Sequence, residues 1–248
     1  MIRRRDLLAL LAAGSLLPRR ALALGEASQV DVAELTLSSG TVSRPGAWRR
    51  LLYEIEHTTS ILTADRVEQV AVDDPALFGH PFAVLCGGGE LPELTEKSVE
   101  QLRRYITYGG FLFIDDTSGG ESEAFDRSIR RLVSRMFPTR SLFPLPSDHS
   151  LYRSFFLLRK PLGRVAGPGY VEGVELGSMT PLIYGRNDLS GALDRGADGR
   201  NSYPVIPGGD TQRREAVKLG INLVMYALTS NYKQDQAHVN ELLKEGRL

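Results

Sequence analysis

Two short runs, Phe82-Ala83-Val84-Leu85-Cys86 and Phe111-Leu112-Phe113-Ile114, are apolar at every position. A strand with one solvated face alternates polar and apolar side chains. Unbroken runs of this length therefore predict strands buried on both faces of a parallel sheet. Between them Thr95 is placed to cap a helix whose Val99, Leu102 and Ile106 form one stripe, stopped by Gly109-Gly110. Strand, helix and strand in this order imply a right-handed parallel crossover, so the fold class is α/β.

The flanking sequence extends the pattern. Val30, Val32, Leu35 and Leu37 predict a first strand, and Trp48, Leu51, Leu52 and Ile55 an amphipathic helix after the Pro45-Gly46 turn. A short strand is expected around Val67 to Val72. A helix carrying Ile129, Leu132, Val133 and Met136 is expected to run to Pro138. A strand from Thr180 to Tyr184 and a long helix marked by Val217, Ile221, Val224 and Leu228 complete the core. The Pro-, Gly- and Ser-rich stretch from Pro138 to about Thr180 is too long for a simple connection and is expected to be partly functional. Asn231-Tyr232-Lys233 reads as a helix-ending turn, and Gln236 to Lys244 as a separate short surface helix.

The N-terminus differs in composition from the rest of the chain. Arg3, Arg4 and Arg5 precede an apolar stretch from Leu7 to Leu17, and Ala21-Leu22-Ala23 supplies small residues at cleavage spacing. That stretch is shorter than the about 20 residues a membrane-spanning helix takes. Residues 1–23 therefore read as a signal peptide and 24–248 as a single α/β domain, with no transmembrane anchor after processing. Arg4-Arg5-Asp6-Leu7-Leu8 resembles the twin-arginine export motif, which implies a periplasmic location. Of 30 basic and 30 acidic residues, processing would remove five arginines and Asp6, leaving 25 against 29 and a net charge of −4. No basic run remains, which argues against a nucleic-acid partner. Cys86 is the lone cysteine, so no intramolecular disulfide can form.

Gly87-Gly88-Gly89, the helix end Tyr108-Gly109-Gly110 and the strand Phe111 to Ile114 resemble class I glutamine amidotransferases. The resemblance implies a mostly parallel, flavodoxin-like three-layer sandwich. It also implies a Gly-rich oxyanion turn after one strand and a nucleophilic cysteine on a sharp elbow after the next. Here the elbow falls at Asp115 or Asp116, and the cysteine is absent. A closer resemblance, to an uncharacterised bacterial family of that fold, rests on Gly109 to Asp116, Asp148-His149 with Tyr152, Leu182-Ile183-Tyr184 leading to Asn187-Asp188, and Asn222 to Thr229 followed by Asn231-Tyr232-Lys233.

Asp115 and Asp116 are the leading site candidates, because ligands of open α/β sheets bind outside the carboxyl ends of the strands, where the strand order reverses. Two carboxylates there suit a cation, sugar hydroxyls or acid–base work. Successive strand residues face opposite ways, so at most one is expected in a given pocket; the alternative is that neither binds a ligand, one capping the next helix while the other pairs with a buried arginine or a backbone N–H. Ser118, in Thr117-Ser118-Gly119-Gly120, lies on a possible anion cradle or a plain turn. His149 beside Asp148 is a candidate base, though no nucleophile accompanies it, and Cys86 resembles a buried structural thiol. Asn187 and Asp188 either join the rim or satisfy a local turn. A metal held by Asp115, Asp116, His149 and Asp188 has no ligand-spacing motif behind it, so no metal or cofactor is expected. Two functions fit these residues: a non-catalytic module binding a small ligand or an envelope protein, or a hydrolase using Asp115 or Asp116 with His149.

Overall fold

The structure, a computed structural model, describes residues 29–244; the segment read as a signal peptide lies outside them. The first half of the chain forms β1 (Val30–Thr36), α1 (Pro45–Thr58), β2 (Thr63–Ala71), β3 (Phe82–Gly87), α2 (Glu96–Thr107), β4 (Phe111–Asp116) and α3 (Glu123–Met136). The second half adds β5 (Phe143–Pro144), β6 (Glu172–Leu176), β7 (Met179–Gly185), α4 (Leu189–Leu193) and α5 (Gly209–Lys244). Short 3-10 turns lie at Pro75–Gly79 and Ser150–Arg153.

The seven strands form one sheet in the order β2-β1-β3-β4-β7-β6-β5. The first five run parallel, and β6 and β5 extend the sheet antiparallel. The architecture is a mixed α/β, mostly parallel, flavodoxin-like three-layer sandwich. The order reverses between β1 and β3, so the switch point lies there and not at β4, where the leading carboxylates were expected to meet it.

Alternation along the central strands explains the uniformly apolar runs. Phe82, Val84, Cys86, Phe111 and Phe113 face the layer of α1, α4 and α5, where Trp48 meets Phe113 edge-on at 6.4 Å. Ala83, Leu85, Leu112 and Ile114 face α2 and α3, against Val99, Leu102, Phe125 and Ile129. Thr95 caps α2 through the Ser98 N–H at 3.1 Å, and Ser122 caps α3 through the Phe125 N–H at 3.2 Å.

The second half departs from the sequence-based expectation in two places. The expected irregular stretch after Pro138 contains β5, β6 and the Ser150 turn, and β6 is pinned where Arg130 of α3 binds Glu172 at 2.9 Å. Asn222 of α5 grips the same stretch, donating to the Leu151 and Phe156 carbonyls and accepting the Phe156 N–H, each at 2.8 Å. α5 continues unbroken to Lys244 where a turn and a separate helix were expected; no glycine or proline lies beyond Gly220 within it. Among the described residues no helix is long and apolar enough to cross a membrane.

Candidate functional site

The carboxyl ends of β1, β3, β4 and β7 carry a buried polar network. It begins with Glu34, an acid of β1 that is 1% exposed, whereas the other acid of that strand, Asp31, is only partly buried. Its carboxylate accepts the Ser43 hydroxyl and the Arg44 N–H, both at 2.6 Å, fixing the entry to α1. Arg44 in turn reaches across the sheet edge to Asp188 and, at 3.1 Å, to the Ser190 hydroxyl, while its guanidinium lies 4.6 Å from the centre of the Tyr203 ring. Burial works against this charge, but Asp188, with Asp115 and Tyr203 behind it, more than offsets burial, and the Arg44 pKa is raised.

Asp188 is the sharp turn of the site. It is the one non-glycine with a positive φ, 53°, among the described residues, and its carboxylate accepts the Gly191 N–H at 2.9 Å. Arg164 binds its other oxygen, so two arginines hold a fully buried carboxylate. The elbow-like conformation therefore comes after β7, whereas the sequence resemblance placed it after β4.

Asp115 faces the same layer. Fully buried, it accepts the Leu189 N–H on Oδ1 at 2.9 Å and the Ser190 N–H on Oδ2 at 2.8 Å, closing the first turn of α4. Burial, helped by the negative charge of Asp188, pushes its pKa up to about 7 against the opposing hydrogen bonds of Ser190 and Leu189. Cys86 lies beside it in the core, and burial, with Asp115 and Glu34 nearby, drives the thiol well above its ordinary pKa. A thiol kept protonated and out of water is not a nucleophile.

Asp116 points to the opposite layer, as strand alternation requires. Its Oδ1 accepts both the N–H and the hydroxyl of Ser118, at 2.9 and 2.6 Å. The N–H of Ser118 thus turns inward onto a carboxylate and forms no open cradle for an anion. The Asp116 Oδ2, the Tyr184 hydroxyl and the Arg186 Nε are buried without partners on this face. Burial raises the Asp116 pKa, with Ser118 and Arg186 opposing.

The remaining candidates divide. Asn187 is buried beside Asp188; its side-chain amide donates to the Pro168 carbonyl and its backbone carbonyl accepts the Val165 N–H, both at 3.2 Å. Residues 163–168 thereby lie as a strap across the turn. The Gly163 Cα packs so closely on the Asn187 carbonyl that any β-carbon would collide with it. Gln212 of α5 secures the other side of the strap by donating to the Gly163 carbonyl at 2.8 Å. His149 is not part of this group. Its Nδ1 accepts the Leu151 N–H and its Nε2 meets Thr180 Oγ1, both at 3.2 Å. Thr180 begins β7, whereas Asp115 pairs with Gly185 at its end, about 16 Å away along the strand. The expected joining of His149 with Asp115 or Asp116 is therefore corrected: the histidine caps a turn at the far edge of the sheet. Among the described residues no group of three or more His, Cys, Asp or Glu is placed to hold a metal.

Arg44, Arg164, Glu34 and Ser190 belong to the network without having stood out in the sequence. Glu34 is one of two acids in β1, with Asp31, and only burial in the fold tells them apart. The arginines come from loops whose approach to the sheet edge no local pattern encodes.

A mostly parallel three-layer sandwich whose strand-end polar groups on the α4 side are paired with one another is the class that fold and site define. The chain belongs to the DUF4159 family, a domain of unknown function, which it matches over residues 31–228. No curated protein matches it.

Proposed function

We propose that this chain is an exported, periplasmic, non-catalytic module that binds a small ligand or an envelope protein on an amidotransferase-like fold whose nucleophile is gone. One observation carries the non-catalytic part: the groups an amidotransferase-like site would use are consumed internally. Cys86 is buried and protonated, Asp115 ties down α4, and the turn at Asp188 is neutralised by two arginines beneath the 163–168 strap. The alternative of a hydrolase built on His149 loses support from the separation of that residue from both aspartates. Export rests on the Arg4-Arg5 motif and the apolar stretch after it.

The test has two arms. Replacing Arg4 and Arg5 by lysine is expected to trap a longer precursor in the cytoplasm, and unchanged export would remove the twin-arginine route. Purified protein, Cys86→Ala and Asp116→Asn are then compared on glutamine and a panel of simple amides and esters. Equal, background rates are expected, and turnover abolished by either substitution would replace this reading with an enzymatic one.

A further inference from the structure

The two edges of the sheet are built differently. β5 forms one of them with two residues, Phe143 and Pro144, and the proline has no N–H to offer a further strand. The other edge is β2, nine residues from Thr63 to Ala71 without a glycine or proline. Among the described residues no strand pairs with its outer side. An open strand of that length presents a row of backbone donors and acceptors to any chain that can match it.

The side chains of β2 specify the match. Val67 is its middle residue, half-buried against the α1 layer. Arg66 and Glu68 flank it, both exposed, and alternation puts both on the α2 face, where Val70 is buried. A second copy paired antiparallel about a dyad normal to the sheet keeps each helix layer on its own side. Residues of the same face must then meet, so the dyad falls on a residue. Centred on Val67, it pairs all nine residues with their copies: valine meets valine, Asp65 meets Gln69, and Arg66 meets Glu68 once on each side of the dyad. Moving the dyad by one residue sets Arg66 against Arg66 or Glu68 against Glu68. Charges along an edge ordinarily discourage pairing. Here they complement one another in one register and repel in the two beside it. Glu68 also lies 3.6 Å from His80 but stays half exposed, and Arg66 makes no ion pair among the described residues.

We infer that the occupant of this edge is a second copy of the chain, paired through β2 about Val67 so that two sheets join into one. The contact is the same on both copies and closes on itself, so assembly stops at the dimer. The inference stands apart from the non-catalytic reading, which the rate comparison and the Cys86 thiol judge separately.

The test is sedimentation of the mature protein over a range of concentrations, with folding followed by circular dichroism. The parent is expected to be dimeric at about 100 μM. Arg66→Glu and Glu68→Arg each set like charges opposite one another, and each is expected to stay folded and to weaken the dimer by about tenfold or more. Mixing the two variants is expected to restore it, because every flanking pair across the dyad is then Glu against Arg. The double variant R66E/E68R restores opposite charges within one chain and is expected to dimerise as the parent does. Under oxidation Val67→Cys is expected to cross-link across the dyad, whereas Asp65→Cys, roughly 13 Å along the strand from its copy, is not. A monomeric parent, single variants as dimeric as the parent, or a mixture that stays monomeric would overturn the inference. Should a single variant fail to fold, a monomeric double variant, or cross-linking at position 65 as readily as at 67, would overturn it equally.

Discussion

Removing the Asp188 carboxylate is the perturbation with the largest expected consequence. In Asp188→Ala, Arg44 keeps its buried charge and loses its partner, a change that costs about 3–5 kcal/mol. Arg164 is partly solvated, so water recovers most of its loss. The freed Gly191 N–H adds about 1 kcal/mol, and alanine at φ 53° adds about 1 more. The sum, about 5 kcal/mol or more, is of the order of a whole domain's stability, so Asp188→Ala is expected to be marginally folded. Asp188→Asn keeps an acceptor and tolerates the left-handed backbone, and is expected to lose about 2 kcal/mol. Urea unfolding followed by circular dichroism measures both, with the slope against denaturant checked for constancy. An alanine variant within about 1 kcal/mol of the parent would refute the reasoning, as would an asparagine variant equally damaged.

Two further predictions concern the aspartates. The folded-state pKa of Asp115 lies above the ordinary value of about 3.9, so between there and about 7 the native state holds a proton that the unfolded chain releases. Its contribution to stability is therefore greatest at low pH and declines as pH rises through that window. Asp115→Asn should flatten the profile while lowering stability at pH 5 by about 1–3 kcal/mol, because the Ser190 N–H loses its acceptor; an unchanged profile would count against the assignment. Asp116→Asn, replacing a carboxylate with one oxygen unpartnered, should leave the melting temperature nearly unchanged or raise it, and a drop of more than about 5 °C would show that the carboxylate is structural.

The features legible in the sequence are those whose causes are local. The runs at Phe82 and Phe111 announce buried parallel strands because burial on both faces leaves no position for a polar residue. The caps at Thr95 and Ser122 depend on neighbours a few residues away, and Thr95 is recognisable without the fold. β6 is hidden because Glu172 and Gly173 resemble loop residues until Arg130 of α3 and the edge of β7 are in place. The Asp115-Asp116 pair is visible as a pair, and strand alternation dictates its opposite-facing geometry. Its partners are not visible: the N–H groups of Leu189 and Ser190 are over seventy residues away in the chain. His149 misleads for the converse reason. An Asp-His pair suggests an oriented base, but only the register of β7 shows which edge of the sheet it occupies.

The central claim, that the strand-end groups are internal structure and not a reactive centre, is tested most directly by the rate at which Cys86 is alkylated. The buried, protonated thiol should react with iodoacetamide in the native protein at least about a thousandfold more slowly than in urea, with a rate that rises with denaturant in step with unfolding. Native labelling within about tenfold of the unfolded rate would mean that the thiol is exposed and ionised, and would return Cys86 to the position of nucleophile.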